Sequence, residues 1–469
     1  MRSMRTDFGA VLWCFPAFAF AACAGGEIDG APLAPGSDVP SITQIGDFAV
    51  RVESLARIQV EAQGRRVLDG LPGGAVSAGA PPLVGFAVQD AEWTYETSFG
   101  QFRITDVPHG DWIGASHLSV DDQTGSRFTL ASASGAPIAR IAMSAPEPRH
   151  LVLDVTAAGS AKRFSLGMRC EPDDRFVGFG SQSWDVDQRG QTVPVFVSEQ
   201  GVGKDTTDDY KGIGQLVGRR HSAQWAQPWT LTRRGTVMIG ETQRYMRFAL
   251  CSERDDAARI ELEMPAKIHL FAGDSPAHAT TLATGVFGRP RVPPRFAFAP
   301  WNDAVKGPDK VLGLAKRLRD ADVPSSVIWT EDWRGGEQDG EAYKLKEEWD
   351  VDTGLYPDMA GMTSALHAQG FKFFVYFNPF IYQESKAWPE TQPKGWLVKK
   401  PDGSPYVFPG AKLTDTGLLD LSNPDARAWA VAKMRASMKL GADGWMNDYA
   451  EWLPTDAVLA KGSGLDLHN

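Results

Sequence analysis

KLGADGWMNDYAEWLPTD, residues 439–456, is the stretch whose reading decides the fold. Lys439, Leu440 and Gly441 read as the end of a helix, because glycine accepts the left-handed turn that stops one. Gly444, Trp445 and Met446 then make a short apolar strand, and Asp448 stands at its end. Trp445, Tyr449 and Trp452 surround this acid, with Glu451 close behind. Helix, strand, carboxylate is the order in which (β/α) barrels set functional groups at the carboxyl ends of their strands. Taken without its flanks, the same stretch reads as a surface Asp beside core aromatics.

The preceding residues repeat that order. Asn423 and Pro424 open a helix to Leu440 as N-cap and first residue. Before it come a strand at Lys372–Phe377, a helix at Met359–Gln369 stopped by Gly370, and a strand at Ser326–Thr330. A helix at Pro308–Ala321, with Val311, Leu314, Ala315 and Leu318 on one face, follows a first strand expected at Phe296–Trp301. Alternating strands and helices predict a parallel sheet, here the first half of a (β/α)8 TIM-type barrel over residues 293–469, strands one to four. Four strands leave two edges open in a fold that normally closes.

From Gly46 to about residue 292 the texture changes. Short alternating runs such as Phe48–Val52, Ile58–Val60, Leu151–Val155 and Val237–Ile239 sit between Gly, Pro and Asp turns, which predicts an antiparallel β-sandwich. Helical periodicity is confined to Ser275–Thr284. Residues 23–45 are rich in Gly, Pro, Ser and Ala and read as a tether. Residues 1–22 carry Arg2 and Arg5 before an apolar run ending in small residues, the order of an export signal. Phe20-Ala21-Ala22-Cys23 resembles a bacterial lipobox, which makes Cys23 a candidate lipidation site. Cleavage at Ala19-Phe20-Ala21 is the competing reading. The expected location is periplasmic or outer-membrane-anchored, with membrane contact only through a lipid on Cys23.

Composition narrows the function. A net charge of −10 without a basic block argues against nucleic acid. Fifteen tryptophans, nine of them after residue 300, suit the flat C–H faces of sugars as well as a core. Cys170 and Cys251 are free either to pair in an oxidising compartment or to stay buried as thiols. Their separation, with no histidine spacing, predicts no metal site, and no cofactor is implied.

Four blocks resemble glycoside hydrolase family 31, a family of α-glucosidases, α-xylosidases and sulfoquinovosidases. They are Gly178–Gln182 continuing through Asp187–Gly190 to Val195–Gly201, Val327–Trp333, Tyr376–Phe380, and Gly444–Glu451. The resemblance implies a galactose-mutarotase-like sandwich before the barrel and Asp448 as the nucleophile of a retaining α-glycosidase acting on an α-linked sugar or oligosaccharide. It also implies sugar contacts from Glu331, Asp332, Trp329, Trp333, Trp301, Asp303, Trp445, Asn378, Glu451, Gln182 and Arg189. Met446 and Trp445 are swapped relative to the family pattern and Tyr449 replaces Met, as in the sulfoquinovosidase-like branch. That branch carries Gln where Glu331 stands, and Arg and Trp where Ala342–Trp349 runs. A carboxylate there favours hydroxyls and repels a sulfonate, so the expected substrate is a neutral hexose or pentose, with Lys344 and Lys346 keeping an acidic sugar open.

The resemblance places the acid/base Asp on a strand beyond the pair that His468-Asn469 resembles, so we expect a fragment of a longer hydrolase with weak turnover. A non-catalytic carbohydrate-binding surface lipoprotein is the alternative, as is a sulfoquinovosidase-type enzyme with altered recognition.

Overall fold

The computed structural model describes residues 41–98, 100–200, 220–339, 342–346, 348–408 and 415–469. The expected export signal, the candidate lipidation site Cys23 and most of the expected tether lie outside these residues.

Alternation of side chains builds the first half. In the strand Phe48–Glu53, Phe48, Val50 and Val52 are buried while Arg51 faces out, as a period of two requires. It pairs within a four-stranded antiparallel sheet that leads into two larger ones of eight and six strands. The eight-stranded sheet includes Phe176–Gly180, Ala226–Thr232, Thr236–Gly240 and Ala266–Ala272. The six-stranded sheet begins with Thr192–Val195 beside Met246–Arg254. One apolar core joins all three, with Phe48, Phe128, Phe164, Phe179 and Phe248 buried within it. Cys170 and Cys251 form a disulfide, which settles the alternative left open by the sequence.

The helix Pro276–Phe287 lies where periodicity placed it. Ser275 caps it by accepting from the His278 N–H at 3.2 Å, and Ala279 and Ala283 pack beneath Val237 and Phe271.

The parallel half holds four strands in sequential order: Trp301–Asp303, Val327–Thr330, Lys372–Phe377 and Gly444–Asn447. Among the described residues this is an incomplete (β/α)8 barrel. The helices Pro308–Asp320, Met359–Ala368 and Pro424–Lys439 connect the strands. Asp358 accepts from the Gly361 N–H at 2.8 Å and Asn423 from the Asp425 N–H at 2.9 Å, so each satisfies an orphan donor at its helix start. Gly370, at φ 78°, turns the chain after the second helix. From Phe373 to Phe377 every residue of the third strand is buried, as a strand covered on both faces must be.

One element differs from expectation. Arg295–Phe298 is a 3-10 turn, and the first strand starts at Trp301. Pro294 fixes the entry to that turn and Pro300 has no N–H to give a ladder, so pairing begins only after Pro300.

The sandwich and the barrel meet through a small aromatic seam. His468 stacks on Phe196 with ring centroids 4.3 Å apart and meets Phe102 edge-on at 4.5 Å. Its two ring nitrogens face the Leu453 and Val197 carbonyl oxygens at 2.9 and 2.6 Å. Asn469 accepts from the Val197 N–H at 2.7 Å, and Arg244 pairs with Asp466 at 2.6 Å. These contacts bring the end of the sandwich strand Thr192–Val195 against residues 448–453.

Candidate active site

Asp448 is held by the third strand. Its N–H donates to the Phe377 carbonyl at 3.0 Å, extending the ladder by one bond beyond the strand Gly444–Asn447. Its carboxyl accepts from the Tyr376 hydroxyl at 2.9 Å and from the Tyr449 N–H at 3.1 Å. Tyr449 adopts φ 64°, a left-handed conformation that costs a non-glycine residue of order 1–3 kcal/mol. That turn brings its N–H onto the Asp448 carboxyl. Burial raises Asp448 above the usual carboxylate range, and the two hydrogen bonds oppose that rise without cancelling it.

Asp448 and Glu451 line a cleft of about 470 Å³ with Val197, Gln224, Trp225, Ala226, Asn447, Tyr449, Ala450, His468 and Asn469. The sandwich forms one wall and the turn after the fourth strand the other. Gln224 joins them: its amide nitrogen lies 3.4 Å from a carboxyl oxygen of Glu199 and 3.4 Å from one of Glu451.

Glu199 is pushed up to about 8, first by burial and then by its hydrogen bond and repulsion with Glu451. Glu451 is also raised by burial. Two adjacent charges in this seam would repel, so both carboxyls stay protonated to higher pH than an ordinary carboxyl and are read as sharing a proton near neutrality. For a carboxyl raised on folding, the stabilisation is fully present below about 4.5 and is lost as pH rises through about 8. Glu199→Gln keeps the hydrogen-bonding shape and removes the ionisation. It is expected to flatten the pH dependence of the urea midpoint and to raise that midpoint at alkaline pH. Midpoints measured on both sides of neutrality check this, and an unchanged slope would contradict the shared proton.

The other anticipated site residues divide into two groups. Trp329 and Asn378 cluster near Asp448 around Tyr376, which was not itself anticipated: Trp329 stacks on Tyr376 at 6.0 Å, and the Asn378 amide donates to the Tyr376 hydroxyl at 3.4 Å. Glu331 stands half-buried just after the second strand. Asp303, the exposed last residue of the first, is pushed up to about 6 by partial burial of its carboxyl, with the nearby Asp332 charge adding to it. Trp301 is partly exposed and meets Phe374 edge-on at 4.7 Å.

The second group is engaged elsewhere. Asp332 is fully buried and accepts from the Lys306 N–H at 2.7 Å and the Thr330 hydroxyl at 2.6 Å. Trp333 is buried and donates to the Tyr376 carbonyl at 2.7 Å. Trp445 points back to its own helix and donates to the Ser437 hydroxyl at 2.9 Å. Gln182 meets His221 at 3.1 Å. Arg189 lies on the Cys170–Cys251 disulfide and donates to the Asp255 carbonyl at 2.9 Å. None of these five lines the Asp448 cleft. The Lys344 side chain falls outside the described residues, and Lys346 is exposed. Conversely, Gln224 and Trp225 line the cleft, and Glu199 stands behind Gln224, without having been singled out. An acid in the Val195–Gly201 block was the one available signal, and Gln224-Trp225 carries none at the level of local pattern. Among the described residues no group of His, Cys, Asp and Glu is arranged to hold a metal ion, and no helix is long and apolar enough to cross a membrane.

A sandwich joined to a parallel half-barrel, with carboxylates at the barrel's strand ends, defines the class of fold: an antiparallel β domain leading into an incomplete (β/α)8 barrel. Residues 290–465, the region that holds the four parallel strands, match the model of the glycosyl hydrolases family 31 TIM-barrel domain. The chain is 30% identical over 382 residues to a sulfoquinovosidase of Agrobacterium fabrum, covering 79% of this chain and 55% of that protein. With the sulfoquinovosidase of Escherichia coli it shares 25% over 342 residues, 71% of this chain and 50% of that one. Among solved structures, a family 31 sulfoquinovosidase from E. rectale superposes with a TM-score of 0.73 at 23% identity, over 91% of this chain and 62% of that chain. The chain therefore spans about half the length of the two sequence relatives.

Proposed function

We propose that Asp448 is the attacking carboxylate of a retaining α-glycoside hydrolase that removes a neutral terminal α-linked sugar. The observation that carries this reading is the placement of Asp448: it ends the fourth parallel strand, lines a cleft, and is aimed by Tyr376 and by the strained turn at Tyr449. The family match of the barrel and the likeness to glycosidases support it. Retaining hydrolysis needs a second carboxyl about 5–5.5 Å away to protonate the departing oxygen and then activate water. Glu451 and Glu199 are occupied with each other, so we leave that second role to a residue outside the described barrel strands. The Cys170–Cys251 disulfide accords with an exported protein. Trapping with a fluorinated glycosyl donor that carries an activated leaving group, followed by peptide mapping, tests the reading.

The identity to two sulfoquinovosidases favours a second reading, in which the sugar is sulfonated. Glu331 discriminates between the two. A half-buried carboxylate at the second strand's end accepts from hydroxyls and repels an anion. Wild type is therefore expected to bind methyl α-glucoside in preference to methyl α-sulfoquinovoside. Glu331→Gln is expected to shift that ratio roughly tenfold towards the sulfonated sugar, the size of one charge contact. Calorimetric titration of both ligands checks it, and a wild-type preference for the sulfonate would replace the first reading with the second.

A further inference from the structure

We infer that Trp225 is the platform for whatever is attached to the sugar on the leaving-group side of the bond, an inference that rests on the reading of Asp448 as the attacking group. Trp225 is 62% exposed, yet it lines the same cleft as Asp448. The other tryptophans close to that acid are engaged. Trp445 donates to Ser437, Trp333 to the Tyr376 carbonyl, and Trp452 is buried in the seam with Phe380 and Tyr449. Trp225 lines the cleft with most of its surface exposed among the described residues, so its indole is the tryptophan ring there open to a ligand.

Its backbone is fixed on the sandwich side. The Trp225 N–H donates to the Ser181 hydroxyl at 3.3 Å, and its carbonyl accepts from the Ser181 N–H at 2.9 Å. Gly180, at φ 84°, passes so near that a Cβ there would lie 1.8 Å from the Trp225 carbonyl oxygen. From the barrel side, the neighbouring Gln224 spans Glu199 and Glu451, and Glu451 belongs to the same turn as Asp448. Gln224 thus acts as a positioning residue that sets the indole relative to the nucleophile's turn.

Placement decides which part of a ligand the indole meets. Glu331, Asp303, Trp329 and Asn378 gather on the first three strands, and none of them lines this cleft. Asp448 touches both regions, through Tyr376 on one side and the cleft on the other. A ligand whose anomeric carbon lies at Asp448 and whose ring lies over the first three strands projects its aglycone towards Trp225. The flat apolar surface of an indole suits the C–H face of a second pyranose or an aryl ring.

The test is calorimetric titration of the full chain with methyl α-glucoside, an α-linked glucose disaccharide and 4-nitrophenyl α-glucoside. Wild type is expected to bind the two larger ligands more tightly than the methyl glycoside. Trp225→Ala is expected to remove that advantage, roughly tenfold, while leaving the methyl glycoside's Kd unchanged. Trp225→Phe is expected to keep most of the advantage, and Gln224→Ala to lose part of it. Because Trp225 is exposed, an unchanged thermal midpoint confirms that Trp225→Ala remains folded. If wild type shows no preference for the larger ligands, or Trp225→Ala keeps it, the platform is overturned while the reading of Asp448 stands. If wild type binds none of the three, the platform and the neutral-sugar reading fall, while the labelling of Asp448 decides the attacking group separately.

Discussion

Asp448→Asn is expected to abolish covalent labelling by a 2-deoxy-2-fluoro-α-glucosyl donor with a dinitrophenolate leaving group, lowering the labelling rate by on the order of 10³-fold or more. Dinitrophenolate departs without a proton, so the first half of the reaction proceeds on Asp448 alone and does not need the second carboxyl. The fluorine slows hydrolysis, and the glycosyl group should stay on the Asp448 peptide. Asn has nearly the same shape, and its oxygen still accepts from Tyr376. Its amide is a far poorer nucleophile, so the loss reports attack and not folding. The pH dependence supplies a second readout. Burial raises the Asp448 pKa, and only the ionised form attacks, so labelling should climb with pH over a range above that of an ordinary carboxylate. Equal labelling of the Asn variant, or a label mapped to another peptide, would remove Asp448 from the reaction.

Where local rules governed, the sequence read well. The third strand lies at Lys372–Phe377 because five consecutive apolar residues can be buried on both faces. The last connecting helix starts after Asn423 because the cap and Pro424 leave no better place. Asp448 at a strand end followed from the same order of elements. The first strand was misplaced because its apolar run outweighed Pro300, whose missing N–H decides where pairing begins. Roles of single side chains were harder to read. Glu331 and Asp332 are adjacent, but Glu331 opens a 3-10 turn that sends Asp332 into the core. Trp445 looked like part of the site because it neighbours Asp448, yet alternate side chains of a strand face opposite ways, and its indole meets Ser437 on the helix. Gln224 reaches Glu451 across 227 positions of chain, and no local pattern announces such a contact.

Asp332→Ala is expected to destabilise the barrel half by about 1–3 kcal/mol, the range for leaving buried donors without their acceptor. One carboxyl oxygen accepts from the Lys306 N–H in the loop after the first strand. The other accepts from the Thr330 hydroxyl at the end of the second strand and from the Tyr356 hydroxyl in the loop before the second helix. Three separate segments are thus tied to a side chain with no exposure to water. Without it, Thr330 and Tyr356 keep each other at 3.0 Å, but the Lys306 N–H loses its acceptor and a void opens beside it. Asp332→Asn should fall between the two, since its oxygen can still serve the hydroxyls while its NH₂ confronts the Lys306 N–H. Urea midpoints rank the three proteins, and Glu331→Gln supplies the control one position away, where stability should hold and sugar affinity should change. A variant Asp332→Ala that unfolds like wild type but no longer binds sugar would reassign this acid from strut to ligand, because a side chain that secures three segments cannot be removed without cost to the fold.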